Sequence, residues 1–205
     1  GTQAGRDASE PAEFFLTTLP VMNHRRAPGT TCMSALHDIL HGQEVDNFSK
    51  GCGGIMRTAP IALMGVTMGM DIDDVCWLAA ESARLTHKHP LGYLPSLIGA
   101  YIVYYSVLDA EQPTATDFRR WIDESFVVAR RLYGNDCPSG IQAMKTKMDE
   151  CLATTDDTTL SDREAVRRIG EGWVGEEALC IAVCSVLRHF DDFAAALRMS
   201  VNHDG

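Results

Sequence analysis

Basic charge, long apolar runs and paired cysteines are all scarce in this chain of 205 residues. Lysine and arginine number 18 against 28 acidic residues, a net charge of −10. That balance repels phosphate backbones, and no Lys/Arg cluster exceeds a pair (Arg25-Arg26, Arg119-Arg120, Arg130-Arg131, Arg167-Arg168), which argues against nucleic acid as a partner. Apolar runs fall short of the roughly 18–20 residues needed to span a bilayer, so no membrane association is expected. The first eleven residues hold neither a basic n-region nor an apolar core, so no signal peptide is expected, and the expected location is the cytoplasm. The seven cysteines are odd in number, scattered and without a CxxC pair. That pattern excludes a zinc ribbon or thioredoxin motif and reads as reduced thiols.

Strand signals are missing as well. No stretch alternates polar and apolar residues for long, and no Asn-Gly or Asp-Gly turn joins two β-branched runs. There is no internal repeat and no low-complexity tract. Pro28-Gly29, Gly51 to Gly54, Pro90 and Pro138 interrupt helices without dividing the chain into two compositions, so residues 1–205 read as a single domain. A chain of this length buries roughly 70% of its unfolded surface and needs no covalent staples.

What remains is helical periodicity. In 71–86, Val75, Leu78, Ala79, Ser82 and Leu85 share a stripe, and Asp71 or Asp73 can cap its start. In 93–109, Leu94, Leu97, Ile98, Tyr101, Ile102 and Tyr105 make an apolar face wide enough for a central helix. Segment 115–133 carries Phe118, Trp121, Ile122, Phe126 and Val127, with Gly134 placed for a left-handed cap. Ser161 to Glu164 has capping-box spacing and opens a short helix. Segment 175–189 repeats Leu179, Ala182, Val183, Val186 and Leu187, and Asp191 or Asp192 caps a last helix through Phe193, Leu197 and Val201. The pattern is that of one all-α domain.

Three segments invite chemistry. Asn47-Phe48-Ser49-Lys50-Gly51-Cys52-Gly53-Gly54-Ile55-Met56-Arg57 holds three glycines in four positions, followed by Pro60 in the first turn of a helix. Glycines permit close approach of a ligand or of another backbone. A loop that feeds a helix N-terminus presents N–H groups suited to an anion such as a diphosphate. A tight inter-helix loop explains the spacing equally well. Thr86-His87-Lys88-His89-Pro90-Leu91-Gly92-Tyr93 places two histidines on the connection between two strong helices; His87 either contacts a ligand or fills the helix end. Gly170-Glu171-Gly172-Trp173-Val174-Gly175-Glu176-Glu177-Ala178 puts glycines before a helix. Trp173 is expected to be packed, and the two glutamates to complement the helix dipole. Thr154-Thr155-Asp156-Asp157-Thr158-Thr159 offers oxygen ligands for a hard cation, but reads as a solvated loop between helices. Cys180 and Cys184 share a helix face and belong to the core.

Together these segments resemble the ADP-ribosylglycohydrolase family, which includes the dinitrogenase-reductase-activating and ADP-ribosyl-acceptor hydrolases. The residues that carry the likeness are Ser49 to Arg57 with Ala59-Pro60, Thr86 to Tyr93, Gly170 to Ala178, and Val201-Asn202-His203-Asp204-Gly205; Arg26 to Cys32 resembles the bacterial members. The resemblance implies an orthogonal multi-helix bundle that removes ADP-ribose from a modified side chain or a small molecule. It implies ADP-ribose or an ADP-ribosylated protein as the partner, and two Mg²⁺ or Mn²⁺ ions that hold a ribose and a water. By position, Ser49, Gly51, Gly53 and Gly54 would lie along the diphosphate and ribose, His87 would contact ADP-ribose, and Gly172, Trp173 and Val174 would form another wall.

One departure stands beside the match. Family members carry a Thr-Asp-Asp-Thr metal motif ahead of the part that corresponds to residues 1–40, and an Asp-x-Asp-Ser/Thr motif after the glycine matching Gly205. The chain is therefore expected to be truncated at both metal motifs, to bind no metal pair and to be inactive alone. Thr155-Asp156-Asp157-Thr158 spells the first motif at the wrong place and is read as coincidence. Two other readings remain, a non-catalytic relative that binds ADP-ribose or a protein, and a helical interaction protein whose glycine loops are only turns. Exposed apolar stripes left by missing helices would favour a homo-oligomer.

Overall fold

A computed structural model describes residues 29–108 and 113–202. Arg26 to Pro28 and His203 to Gly205, which contribute to two of the family-like motifs, lie outside the described residues. In chain order the elements are α1 (Thr30–Leu40), a 3₁₀ turn (Ile55–Arg57), α2 (Thr58–Met68), α3 (Ile72–Arg84), α4 (Pro90–Leu108), α5 (Ala115–Tyr133), α6 (Pro138–Asp156), α7 (Asp162–Ile169), α8 (Gly175–Arg188) and α9 (Phe193–Val201). No strand occurs among the described residues; Gly51 and Val174 form one isolated antiparallel bridge. The chain is all-α, as its periodicity requires.

The helix starts follow local chemistry. Asp71 accepts the Asp73 N–H at 2.8 Å, and Asp192 accepts the Ala195 N–H at 2.9 Å. Thr114 with Asp117, and Ser161 with Glu164, form reciprocal capping boxes that satisfy two otherwise orphaned amides each. Gly69 closes α2 in the left-handed conformation at φ 62°.

Helix α4 is the hub, packed against α2, α3, α5, α6 and α8. Its Leu94, Leu97 and Ile98 are fully buried, together with Trp121, Ile122 and Phe126 of α5 and Met144 and Met148 of α6. Over Pro90–Leu108 the mean hydropathy reaches 1.4, so one helix is long and apolar enough to cross a membrane, contrary to the expectation from apolar runs. Neighbouring helices account for its composition, since 61% of that segment is buried inside the molecule. A helix apolar all round is the signature of a core helix as well as of a span.

Four further details depart from the sequence reading. The buried face of α3 is Val75, Cys76, Ala79, Ala80 and Ala83, with Leu78 and Leu85 only half-buried. Small residues let α3 close on α4, which leucines would hold apart. Gly134 ends α5 in the right-handed region at φ −62°, because the chain turns straight into Pro138 through bonds from Asp136 N–H and Cys137 N–H to Tyr133 O. Pro138 does not merely break a helix but opens α6 at its first position, where its missing N–H costs nothing. Thr154, Thr155 and Asp156 form the last turn of α6 rather than a loop. The Thr154 and Thr155 hydroxyls donate to the carbonyls of Glu150 (2.9 Å) and Cys151 (2.8 Å), while Asp156 pairs with Arg119 at 2.5 Å.

All seven cysteines are free, and Cys180 and Cys184 are fully buried on α8. Apolar side chains stay exposed on α2 (Leu63, Met64, Met68) and α9 (Phe193, Leu197, Val201). Replacing Thr114 or Ser161 by Ala removes a capping box, and each change is expected to lower stability by about 1 kcal/mol in urea unfolding, without altering the slope of the transition.

Candidate functional site

The three glycine- and histidine-bearing segments, far apart in sequence, meet in one place. Asn47 ties the first to the second. Its side-chain N–H donates to Thr86 O at 3.0 Å, and its side-chain oxygen accepts the N–H groups of Ser49 (3.1 Å) and Lys88 (3.3 Å). His89 N–H adds a bond to Ser49 O at 3.3 Å. The first and third segments pair by backbone, Cys52 N–H to Trp173 O at 3.0 Å and Gly175 N–H to Lys50 O at 2.8 Å. The sequence periodicity alone carries no sign of this pairing, because it involves too few residues to show an alternation.

Glycine makes the meeting sterically feasible. A Cβ on Gly54 would stand 2.7 Å from Gly92 O, one on Gly92 would stand 2.6 Å from Ser49 O, and one on Gly175 would stand 2.7 Å from Leu91 O. Each is a backbone atom that cannot swing aside. Leu91 O is also the carbonyl that Pro95, lacking an N–H, leaves without its helical donor. Gly51 and Gly53 face His87, whose Nε2 would lie 3.3 Å and 3.4 Å from their added Cβ atoms. Gly172 needs glycine for another reason, a φ of 82°.

His87 is 1% exposed and lies beneath the glycine loop, so it fills space there. Its Nδ1 is 2.8 Å from the Thr86 hydroxyl, which also accepts a hydrogen bond from the Arg57 guanidinium. Burial, and after it the Arg57 charge, lower the His87 pKa below the ordinary histidine value. Burial likewise lowers that of Arg57, against a smaller opposite effect of Cys32. The two histidines have separate surroundings. His89 packs edge-on against Phe48, with ring centres 4.4 Å apart, and its Nδ1 accepts the Leu91 N–H at 2.9 Å.

Trp173 is 65% exposed, against the expectation that it packs. Val174 is extended where it pairs with Gly51, at φ −113° and ψ 153°, and successive side chains along extended backbone point to opposite sides. Val174 is half-buried, and the indole faces out beside the loop. Ser49 is half-buried too, its hydroxyl accepting the Gly51 N–H at 3.2 Å and lying 3.3 Å from the Thr31 hydroxyl.

The glutamates do more than complement a dipole. Glu176 is 5% exposed and takes the Lys50 ammonium at 2.6 Å, across 126 residues, while its second oxygen has no partner among the described residues. Glu177 accepts the N–H groups of Glu171 (3.1 Å) and Gly172 (3.2 Å), bracing the turn before α8. Lys50, Arg57, Thr86 and Asn47 were thus within the singled-out segments without an assigned role, and only the long-range contacts reveal one. Among the described residues no group of three or more His, Cys, Asp or Glu side chains gathers as a metal site.

The glycine contacts separate two kinds of position. Gly175→Ala forces backbone to move, and the expected loss is about 1–3 kcal/mol. In the middle of α4, Gly99→Ala meets nothing closer than 3.7 Å. It is expected to be neutral or to stabilise by up to about 1 kcal/mol through helix propensity. Urea midpoints of the two variants check the contrast.

Compared with known protein families, residues 3–205 match ADP-ribosylglycohydrolase. That match covers nearly the whole chain, includes all three segments that meet at the glycine loop, and agrees with the all-α architecture. The chain belongs to the ADP-ribosylglycohydrolase family.

Proposed function

We propose that the surface formed by Ser49, Gly51, Gly53, Gly54, Gly172, Trp173 and Val174 holds the ADP-ribose part of an ADP-ribosylated side chain or small molecule. The chemistry served is the family's, hydrolysis of the glycosidic bond that joins the ribose to its acceptor. One observation carries this reading. The N–H groups of Gly53 and Gly54 donate to no acceptor among the described residues, in the turn that leads into the 3₁₀ segment. Such amides suit diphosphate oxygens. The start of α8 suits them less, because Glu176 and Glu177 already place negative charge there. The exposed indole of Trp173 stands beside the loop as a flat apolar surface for a base or ribose.

The family generally uses divalent metal, which when bound activates water and orients ribose hydroxyls. The described residues do not fit two such ions. Glu176 is held by Lys50 and Glu177 by backbone amides, and Asp156 and Asp157 serve Arg119 and the turn at Thr159. The same observation favours a second reading, a family member that binds ADP-ribose without turning it over.

Calorimetry and thermal melting with ADP-ribose test the site. Binding is expected with or without Mg²⁺, and ligand at 100 times Kd should add about 2.7 kcal/mol of stability. Trp173→Ala should weaken binding by roughly fivefold or more through loss of aromatic contact. No binding of ADP-ribose would overturn the proposal. Release of ADP-ribose from a modified arginine in Mg²⁺ or Mn²⁺ would overturn the non-catalytic reading alone.

A further inference from the structure

Arg57 is an unusual cation. Among the described residues its buried Nε has no hydrogen-bond partner and its guanidinium pairs with no carboxylate. Its one hydrogen bond among the described residues goes to the Thr86 hydroxyl. Thr86 is itself 1% exposed, so this arginine is directed at a neutral oxygen in the interior. A guanidinium only donates hydrogen bonds, so Thr86 Oγ1 must accept from it.

That acceptance decides where the hydroxyl proton goes. Two acceptors are in reach, His87 Nδ1 at 2.8 Å and Ala83 O at 3.3 Å. Donation to Nδ1 gives the shorter bond and requires Nδ1 to be unprotonated. The reverse arrangement would bring two donors, the guanidinium and an Nδ1–H, onto one hydroxyl oxygen and leave its own proton on the longer contact. A neutral imidazole with an unprotonated Nδ1 carries its proton on Nε2. Nε2 is the ring nitrogen that packs against the glycine loop, 3.3 Å and 3.4 Å from where Cβ atoms on Gly51 and Gly53 would stand.

We propose that Arg57 is a positioning residue that acts through the Thr86 hydroxyl to hold His87 in a single tautomer, with the Nε2–H presented to the glycine loop as a hydrogen-bond donor. This rests on the ADP-ribose reading only for the identity of the acceptor, an anionic or hydroxyl oxygen of the ligand. The tautomer itself is a property of the unliganded chain. The arrangement also explains why this arginine meets a hydroxyl and no carboxylate among the described residues. A carboxylate partner would take the guanidinium away from Thr86, and the hydroxyl would then be free to accept from Nδ1 instead.

Long-range ¹H–¹⁵N correlation spectra of the ¹⁵N-histidine-labelled chain read the tautomer directly, with the His87 signals identified by their loss in His87→Gln. The wild-type chain is expected to show the proton on Nε2. Arg57→Met should move a measurable share of the population to Nδ1–H, and Arg57→Lys, which keeps a cationic donor, should restore Nε2–H. Arg57→Gln serves as a second neutral variant should the Met variant not fold. A wild-type Nδ1–H signal, or an unchanged tautomer in both neutral variants, would overturn the proposal. Addition of ADP-ribose should shift the Nε2–H resonance and bind roughly tenfold or more weakly to Arg57→Met. A wild-type Nε2–H tautomer that responds to Arg57→Met but not to ADP-ribose would uphold the positioning role and count against the ADP-ribose reading.

Discussion

Three stretches of backbone approach one another in this fold more closely than any side chain would allow. Around Gly54, Gly92 and Gly175, a carbonyl oxygen of another segment occupies the place of a Cβ. Everything else at the site follows from that contact. The Gly51–Val174 bridge can form only because the loop reaches the start of α8, and the bridge in turn sends Trp173 outward. His87 can lie under the loop only because Gly51 and Gly53 leave room for the imidazole. Pro95 belongs to the same junction, since it deprives Leu91 O of its helical donor at the point where Gly175 packs.

The electrostatics are built around the same junction. Lys50 and Glu176 lie on segments already paired by the Gly175 N–H to Lys50 O bond, so their ion pair reinforces a backbone contact rather than creating one. Its two ends are unequal, with the Lys50 side chain 44% exposed and that of Glu176 6%. Water can solvate the lysine if the pair opens, whereas the glutamate would be left charged in a poor solvent. Arg57 and His87 meet at the Thr86 hydroxyl, with burial lowering the pKa of both. The glycine loop is thus tied to the start of α8 by one charged pair and packs on the imidazole of a cation–hydroxyl–imidazole chain.

Much of this was legible in the residues. Asp71, Ser161 with Glu164, and Asp192 announce their helices, because a cap is a local device that spacing alone reveals. The central helix over 93–109 was equally plain, extending in the structure from Pro90 to Leu108. Helix α6 was not, since its mixed polar surface gives little periodicity and Pro138 reads as a break. The glycines near 51 and 172 were recognisable as special, but not whether a ligand or another backbone needs the space. At Gly54, Gly92 and Gly175 the protein's own backbone needs it. The pairing of Lys50 with Glu176, and of Arg57 with Thr86, depends on how the chain returns on itself and leaves no local trace.

The claim on which the account stands is that the glycine loop and the start of α8 form one rigid unit. Native-state hydrogen exchange at the Cys52 and Gly175 amides measures it most directly, because these two N–H groups bridge the segments. The account predicts that both are strongly protected, that they open with similar free energies, and that Gly175→Ala removes the protection of Cys52 as well. Exchange of either amide at the rate of an open loop, or loss at one site with no change at the other, would contradict it.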